Sequence, residues 1–439
     1  MMIRSWSMLL ASATVLAVAS QLGVAVPAVG AEPSWDPGEV FTVSSKAASS
    51  SLAVDAQSNT WVVWEAPNGA ITIAGRRAGG TWGQPSEIAQ TNSAMAEPQV
   101  AADAEGNLTV VWITQRHGFT DGVKAMTRNV LGGWSAPVRI SDDKRVAGYG
   151  TDGKGAWGAQ SPDLAVSPKG AVAVAWEWGS ENRDKAYRIQ SAYRPAGHGW
   201  RDARQLTKAN GSEAPDVGIA ADGTVTLLYT HQQLGHPQHL LTMRRVPGAG
   251  WRDRTVLATR GYAPKLMVDR AGDAMVVYMA TLRRVMAVYR PDGRHWSNAR
   301  QLSPDGARID GVSAAAMNGR GTAMVAWAHD RGRIDVVRRP RQGPWSASKR
   351  VVDVADRNVW EMAVALNGNG DAFLTWGGYA LYGSYLPSGG SWTSPVTLSP
   401  DTGVDVLDSI DAEVARNGDA VVMWDQEDWP VQIRVGTTP

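Results

Sequence analysis

The stretch PQVAADAEGNLTVVW, residues 98–112, contains two short apolar runs joined by a tight polar turn. The first run reaches Asp103, and the second ends at Trp112, nine residues later. Both runs contain residues that favour strands, and the Gly and Asn of the DAEGN turn tolerate the positive φ that a tight hairpin needs. This stretch therefore predicts an antiparallel pair of β-strands.

The same nine-residue spacing occurs in eight copies along the chain. The eight pairs are Asp55 and Trp64, Asp103 and Trp112, Ser167 and Trp176, Ala220 and Tyr229, Asp269 and Tyr278, Asn318 and Trp327, Asn367 and Trp376, and Ala415 and Trp424. In six copies an Arg also precedes a second Trp by six residues, as in Arg128 and Trp134. A recurring unit of about fifty residues identifies a repeat protein.

The pattern of each copy predicts four short strands bounded by Gly, Pro or Asn. In the copy quoted above, the third strand is VKAMTR (123–128) and the fourth is PVRIS (137–141). A single four-stranded sheet cannot bury both of its faces, whereas a ring of such sheets can. The sequence therefore predicts an all-β fold, an eight-bladed β-propeller of four-stranded antiparallel blades. The recurrent Trp would then pack neighbouring sheets together, with the recurrent Arg stacked on them.

The eighth copy lacks its outer strand. It reaches a third strand, VQIRV (431–435), and the chain stops four residues later. Trp35 and EVFTVS (39–44), near the other end of the chain, have the pattern of the missing strand. We therefore expect the N-terminal strand, residues 39–44, to complete the last blade and close the ring, so that residues 32–439 form a single propeller domain.

The first 31 residues have the pattern of a cleaved secretory signal peptide. Arg4 precedes an apolar run, and small residues precede a cleavage point after Ala31. No later stretch is long and apolar enough to span a bilayer, so we expect a secreted, extracellular protein without membrane insertion. The chain has no cysteine, which excludes thiolate metal sites and a cysteine nucleophile, and its formal net charge of +1 argues against nucleic acid as a partner.

Tryptophan is unusually frequent, with 20 Trp against 3 Phe, and five of these Trp lie outside both the repeat and the signal peptide. Four of the five fall in connections between second and third strands or between blades. In an up-and-down blade these connections emerge at the same end of the propeller, which we call the loop-rich face because their lengths vary from copy to copy. Variable loops on a fixed scaffold often carry function.

Indole rings stack on the C–H faces of sugars, while carboxylates and His bind hydroxyl groups. The loop-rich face combines these groups and is therefore predicted to bind a glycan, with a surface protein as a second possible partner. The predicted ligand-binding residues are Trp157, Trp178, Trp360, Trp429, Glu177, Glu361, His231 and Asp425. Trp157 and Trp178 have an alternative interpretation, in which they only hold a long loop in place.

The repeat resembles that of secreted bacterial propeller lectins, and more distantly that of sialidase-like propellers. The resemblance to the lectins implies carbohydrate binding, and such lectins can carry a sugar site between blades, built from an Arg, an acid and a Trp. The Ser-x-Asp-x-Gly-x-Thr-Trp boxes of sialidases are missing. Two alternatives stay open, namely a secreted glycoside hydrolase or polysaccharide lyase and a protein-interaction scaffold.

If the protein is an enzyme, Glu177 and Glu361 are the candidates for acid and base. No cofactor is expected. No metal site is expected either, because His231, His236 and His239 lie in a loop segment without a zinc-binding spacing.

Overall fold

A computed structural model describes residues 40–42, 49–91, 96–116, 119–142, 158–179, 187–208, 211–232, 236–281, 283–329, 332–353, 359–378, 380–399, 407–426 and 432–436. The described residues form 32 β-strands and no helix. None of them therefore belongs to a helix that could cross a membrane. The chain is all-β.

The strands assemble into eight antiparallel sheets of four, which we number in chain order. The N-terminal strand is β1 (Val40–Thr42). Sheet 1 contains β2 (Ser50–Val54), β3 (Thr60–Glu65), β4 (Ala70–Arg76) and β5 (Ser86–Gln90). Sheet 2 contains β6 (Gln99–Ala102), β7 (Leu108–Arg116), β8 (Phe119–Arg128) and β9 (Val138–Arg139). Sheet 3 contains β10 (Gly158–Val166), β11 (Val172–Gly179), β12 (Arg188–Arg194) and β13 (Arg204–Gln205). Sheet 4 contains β14 (Ser212–Ile219), β15 (Val225–His231), β16 (His239–Val246) and β17 (Gly250–Ala258).

The second half of the chain repeats this order. Sheet 5 contains β18 (Tyr262–Val268), β19 (Ala274–Thr281), β20 (Arg284–Arg290) and β21 (Arg300–Gln301). Sheet 6 contains β22 (Ile309–Met317), β23 (Ala323–His329), β24 (Arg333–Arg339) and β25 (Lys349–Asp353). Sheet 7 contains β26 (Glu361–Leu366), β27 (Ala372–Gly377), β28 (Leu381–Leu386) and β29 (Val396–Thr397). Sheet 8 contains β30 (Leu407–Val414), β31 (Ala420–Gln426) and β32 (Gln432–Gly436), with β1 as its fourth strand.

Successive sheets touch through their first strands. The first strand of each sheet contacts that of the next, and β30 of sheet 8 contacts β2 of sheet 1. β1 pairs antiparallel with β32, with Val40 opposite Arg434 and Thr42 opposite Gln432. Repeated four-stranded sheets stacked in this order indicate a β-propeller.

Hydrophobic clusters fill the contacts between successive sheets, and at every contact one cluster contains the aromatic residue that recurs on the second strand. Trp112 of sheet 2, for example, packs with Val63 and Ile71 of sheet 1. Trp64 of sheet 1 packs with Val421 and Met423 of sheet 8. Six other clusters contain Trp176, Tyr229, Tyr278, Trp327, Trp376 and Trp424. A further cluster between sheets 3 and 4, which includes Tyr193 and Val225, contains none of these eight aromatics. All eight aromatic side chains are buried, so the repeat spacing reflects packing between sheets.

In six of the eight sheets, the recurrent Arg of the third strand connects the sheet to the one before it. Three of these Arg approach polar groups of the preceding sheet, at distances of 3.6 Å for Arg76 to Asp419, 3.4 Å for Arg194 to Thr109 and 2.8 Å for Arg290 to Thr226. Three others lie over its aromatic rings, Arg128 on Trp61, Arg245 on Tyr193 and Arg339 on Tyr289. Stacking on the outer-strand Trp of the same copy is confirmed for Arg194 on Trp200 and Arg290 on Trp296.

The turns between first and second strands bond to one another at one end of the sheets, which we call the turn face. The Asn318 side-chain amide donates to the carbonyl of Asn367, and the Asn367 amide donates to that of Ala415 in sheet 8. The backbone N–H of Asn417 then donates to Ser58 Oγ of sheet 1. These bonds align the turns of neighbouring sheets on one surface, opposite the loop-rich face.

We expect Trp327→Ala to lower the free energy of unfolding by about 3 to 5 kcal/mol, because the substitution leaves a cavity between sheets 5 and 6. Trp345→Ala, in the half-buried outer position of the same cluster, is the matched control and should cost less. Unfolding followed by tryptophan fluorescence would compare the two variants. Equal losses would contradict the assignment of the second-strand aromatic as the main contact between sheets.

Candidate functional site

Trp178, predicted to bind ligand, is a core residue. Its side chain is 1% exposed and packs in the cluster between sheets 2 and 3. The second strand of sheet 3 continues to Gly179, so Trp178 lies two residues beyond Trp176 on the same side of β11. The ring has no face open to solvent. The prediction that it stacks on a sugar is therefore wrong.

Glu177, the neighbour of Trp178, connects two sheets. Its Oε1 accepts a hydrogen bond of 2.8 Å from the backbone N–H of Ala214 in sheet 4. Glu65 stands at the same register position of sheet 1 and accepts a bond of 2.7 Å from the N–H of Ala96, just before sheet 2. Because the same contact occurs in two sheets, it indicates a structural role for the Glu177 carboxylate. Its role as a catalytic acid or base stays a prediction.

Burial raises the pKa of Glu177 to about 7, with smaller contributions from the nearby carboxylates of Glu213 and Glu97. Burial also raises the pKa of Glu65 and of Glu97. A hydrogen bond of 2.9 Å connects the Glu97 carboxylate to the N–H of Ser161 in sheet 3. A line of carboxylates thus follows the loop-rich ends of the first four sheets.

These carboxylates hold an unusual backbone conformation. The residue before a proline has a positive φ in three first strands, at Ser161 (47°), Ala214 (50°) and Ala263 (43°), and just before a fourth, at Glu97 (43°). Non-Gly residues rarely adopt this conformation, and a following proline disfavours it further. Two of the four, Ser161 and Ala214, donate their N–H groups to a carboxylate of the preceding sheet. These bonds help to hold the strained strand starts in place.

Three other predicted residues lie at the loop-rich ends of their strands. Trp360 and Glu361 are half-buried at the start of β26, where the Trp360 N–H donates to the carbonyl of Gly377. His231 ends β15, with its Nδ1 at 3.3 Å from Ser212 Oγ. Burial lowers the pKa of His231, and the charge of Arg254 and then that of His239 lower it further. Trp157, Trp429 and the side chain of Asp425 lie outside the described residues.

Charged side chains of several first strands share one space. The pKa of Lys265 in sheet 5 is raised chiefly by Asp216 of sheet 4, and also by Asp163 of sheet 3 and by Asp411 and Glu413 of sheet 8. Burial, and then Asp216, raise the pKa of Asp163 to about 7. Because sheets 5 and 8 are not neighbours in the stack, these charges indicate that the first strands face a common central space.

The carboxylates of this space also bond across sheets. Asp216 accepts the N–H of Leu266 at 2.8 Å, and Asp163 accepts that of Val217. Both stand four residues before the marked turn position of their copies, as does Asp411. That shared offset is a sequence signal for this set of carboxylates, although none of the three was among the predicted site residues.

A groove lies between sheets 3 and 4, beside the turn face. Its volume is about 860 Å³, which suits a small organic ligand. Sheet 3 contributes Tyr193, Arg201 and Arg204, and sheet 4 contributes Arg245 and Trp251. Trp251 is half-buried because part of its ring packs on the core between the two sheets. The groove therefore combines an accessible indole with three guanidinium groups.

The contacts of Arg245 define the floor of the groove. Its guanidinium carbon lies 3.4 Å from the centre of the Tyr193 ring. The Tyr193 hydroxyl donates to the carbonyl of Gly223 at 3.3 Å, which connects sheet 3 to the turn of sheet 4. The pKa of Arg245 is lowered, first by burial and further by the positive charges of Arg201 and Arg204. These three cations therefore lie close enough to repel one another.

The groove was not predicted from the sequence, although a local signal for it is present. The outer-strand Trp200 is followed by basic residues one and four positions later, Arg201 and Arg204. No other outer-strand Trp is followed by basic residues at both positions. The signal became meaningful only when the structure placed Arg245 and Trp251 opposite these two Arg.

A buried histidine in sheet 6 was also missed. His329 is 3% exposed, and its Nε2 lies 2.9 Å from Asp335 Oδ2 and 3.1 Å from the indole nitrogen of Trp327. Arg333 approaches its Nδ1 at 3.1 Å. This cluster lies within one sheet and lines neither the groove nor the central space. Across the described ranges, no three His, Asp or Glu side chains meet in a geometry that could hold a metal ion.

The raised carboxyl pKa values predict how stability changes with pH. In the folded protein Glu177 and Asp163 have pKa values of about 7, above their unfolded values, so each stabilises the fold fully below its unfolded pKa and loses that contribution as pH rises through about 7. We therefore expect the melting temperature to fall between about pH 5 and pH 8. Glu177→Gln keeps an acceptor for Ala214 but cannot ionise, so it should raise stability at pH 8 by about 1 to 3 kcal/mol.

Scanning calorimetry at both pH values would measure this effect. Glu105→Gln, at an exposed turn, is the control and should follow the native protein. A Glu177→Gln variant that melts below the native protein at pH 8 would contradict the assignment.

Neither protein-family models nor curated proteins match this sequence. Among solved structures, the chain resembles the BP39L lectin from Burkholderia pseudomallei at a TM-score of 0.53 and 13% identity, over 81% of this chain and 100% of the lectin. It also resembles a puromycin hydrolase mutant, S511A, at a TM-score of 0.51 and 16% identity, over 87% of this chain and 58% of the hydrolase. A Hadza microbial sialidase is more distant, with a TM-score of 0.42 and 12% identity over 72% of this chain and 73% of the sialidase. The chain thus shares its fold with a bacterial propeller lectin.

Proposed function

We propose that this protein is a secreted, carbohydrate-binding β-propeller whose eight sheets close into a ring. The contact of β30 with β2 and the pairing of β1 with β32 support ring closure. The first 31 residues, with their signal-peptide pattern, support secretion. The lectin whose fold the chain shares is named for sugar binding, which makes this the first function to test.

The groove between sheets 3 and 4 is the observation that carries the proposal. Sugar-binding sites combine a flat aromatic surface with fixed hydrogen-bond donors, and the groove offers Trp251 beside three guanidinium groups. Arg245 is held by its contact with Tyr193, so at least one donor is oriented before a ligand arrives. A volume of about 860 Å³ is sufficient for a short oligosaccharide.

The loop-rich face is a second candidate surface. Trp360 and Glu361 are half-buried there, and Trp157, Trp429 and Asp425 would extend the surface as the sequence predicts. Without Trp178 this surface loses one of its proposed stacking platforms. The groove therefore has the stronger physical case. A carbohydrate-active enzyme that uses Glu177 and Glu361 is the alternative function, and the pKa of Glu177 near 7 favours testing it.

A glycan array, with bound ligands then confirmed by titration calorimetry, would test the proposal. We expect Trp251→Ala to weaken saccharide binding at least about tenfold, because a stacked aromatic contributes on the order of 1 kcal/mol or more beyond its buried area. The control is Trp296→Ala, at the same register position of sheet 5, which should leave binding unchanged. Both variants should keep the fold, as measured by circular dichroism.

The remaining outcomes separate the alternatives. Loss of binding in Trp360→Ala but not in Trp251→Ala would move the site to the loop-rich face. Saccharide turnover that disappears in Glu177→Gln, with binding intact, would identify an enzyme. Failure to bind or cleave any glycan would contradict the proposal and favour a protein-interaction scaffold.

A further inference from the structure

We propose that the groove between sheets 3 and 4 selects acidic saccharides, with the guanidinium groups of Arg201, Arg204 and Arg245 bound to a carboxylate or sulfate group of the ligand. This inference rests on the proposed carbohydrate-binding function and names the substrate class. It concerns this one groove, because the combination of residues that builds it occurs once among the repeats.

The charge of the groove is the first reason. Three arginines line it, and Asp202 is the one carboxylate among the described lining residues. Arg201, Arg204 and Asp202 are all exposed to solvent. The lowered pKa of Arg245, after burial, reflects repulsion from Arg201 and Arg204, so the groove holds an excess of positive charge. A bound anion would relieve this repulsion, whereas a neutral sugar would not.

An unpaired donor is the second reason. The Nη1 atom of Arg245 is buried and makes no hydrogen bond within the described structure, as is also true of Nη1 in Arg76 and Arg339 at the same repeat position. In this groove the exposed Arg201 and Arg204 lie beside that donor, so that a ligand can reach all three groups. Buried polar atoms nearly always have a partner, and a charged donor without one is costly. Arginine binds carboxylates and sulfates through two parallel N–H groups, so an acidic ligand group supplies the acceptor that Nη1 lacks.

The repeat itself provides the third reason. Among the copies, sheet 3 alone has Arg both one and four positions after its outer-strand Trp. In sheet 5 the same positions after Trp296 hold Ser297 and Arg300, so that copy carries one of the two charges. A scaffold needs no such concentration of charge, since the other copies form their sheets without it.

Trp251 supplies the part of the site that recognises a sugar. Its half-buried ring lies in the same groove as the three arginines, with Pro247 and Gly248 at the edge. An indole face suits the C–H surface of a pyranose ring, and the guanidinium groups suit an acidic substituent on that ring. The two requirements together describe a uronic acid or a sulfated sugar.

The experiment uses matched ligands that differ in charge. Trigalacturonate and its methyl ester test a carboxylate, and a sulfated galactose oligosaccharide and its desulfated form test a sulfate. Calorimetric titration of the full chain gives the dissociation constants. We expect at least one acidic form to bind at least about tenfold more tightly than its neutral counterpart, and the difference to shrink as salt rises to about 0.5 M.

Three variants locate the effect. Arg201→Gln and Arg204→Gln should each weaken binding of the acidic form at least about fivefold and leave binding of the neutral form unchanged. Arg300→Gln, at the register position of Arg204 in sheet 5, removes the same charge away from the groove and should change neither. Arg245 is left intact, because it also connects sheet 4 to Tyr193.

Each other result has a definite meaning. If neutral forms bind as tightly as acidic ones and Trp251→Ala weakens both, the proposed function stands and the preference for acids is wrong. If Arg300→Gln weakens binding as much as Arg204→Gln, the attraction is a general surface effect and the groove is not the site. If neither charged nor neutral saccharides bind, the proposed function fails and this inference fails with it.

Discussion

The burial of one aromatic side chain per sheet against the preceding sheet is the constraint on which the structure depends. A four-stranded sheet has two apolar faces, and its own strands can cover neither of them. Trp112, Trp176 and Trp327 each fill the contact with the neighbour, and none has measurable exposure. The nine-residue spacing in the sequence reflects this contact. It places the aromatic at the same distance from the turn on the second strand of every sheet.

Polar contacts then fix how the sheets are placed along that apolar contact. The recurrent Arg lies at the turn face, and the carboxylates of Glu65 and Glu177 lie at the opposite ends of the same sheets. Charged groups bonded across a buried contact have directional preferences that apolar packing lacks. The groove between sheets 3 and 4 uses this arrangement, since the Arg that connects sheet 4 to Tyr193 also forms the groove floor.

The fold was largely predictable because a repeat presents the same evidence eight times. Strand order, sheet size and the partner of the N-terminal strand all follow from spacing and turn chemistry. The functional site was predicted less accurately than the fold. Trp178 was assigned to a loop because the second strand was taken to end at Trp176, yet alternation along a strand places residues two apart on the same face. The groove was missed for a different reason, because its residues come from neighbouring copies and a single copy shows only half of them.

The pairing of β1 with β32 has a consequence for how the chain reaches its native state. Val40 lies opposite Arg434, so sheet 8 joins residues separated by almost the whole chain. Contacts between distant residues slow folding, because a long loop has to close before they form. During synthesis, β1 is made long before β32 and has to wait for this partner. Sheets 1 to 7 can assemble in order during that time. The clusters that contain Trp424 and Trp64 form only when sheet 8 packs between sheets 7 and 1, so the pairing of β1 with β32 accompanies the last two apolar contacts.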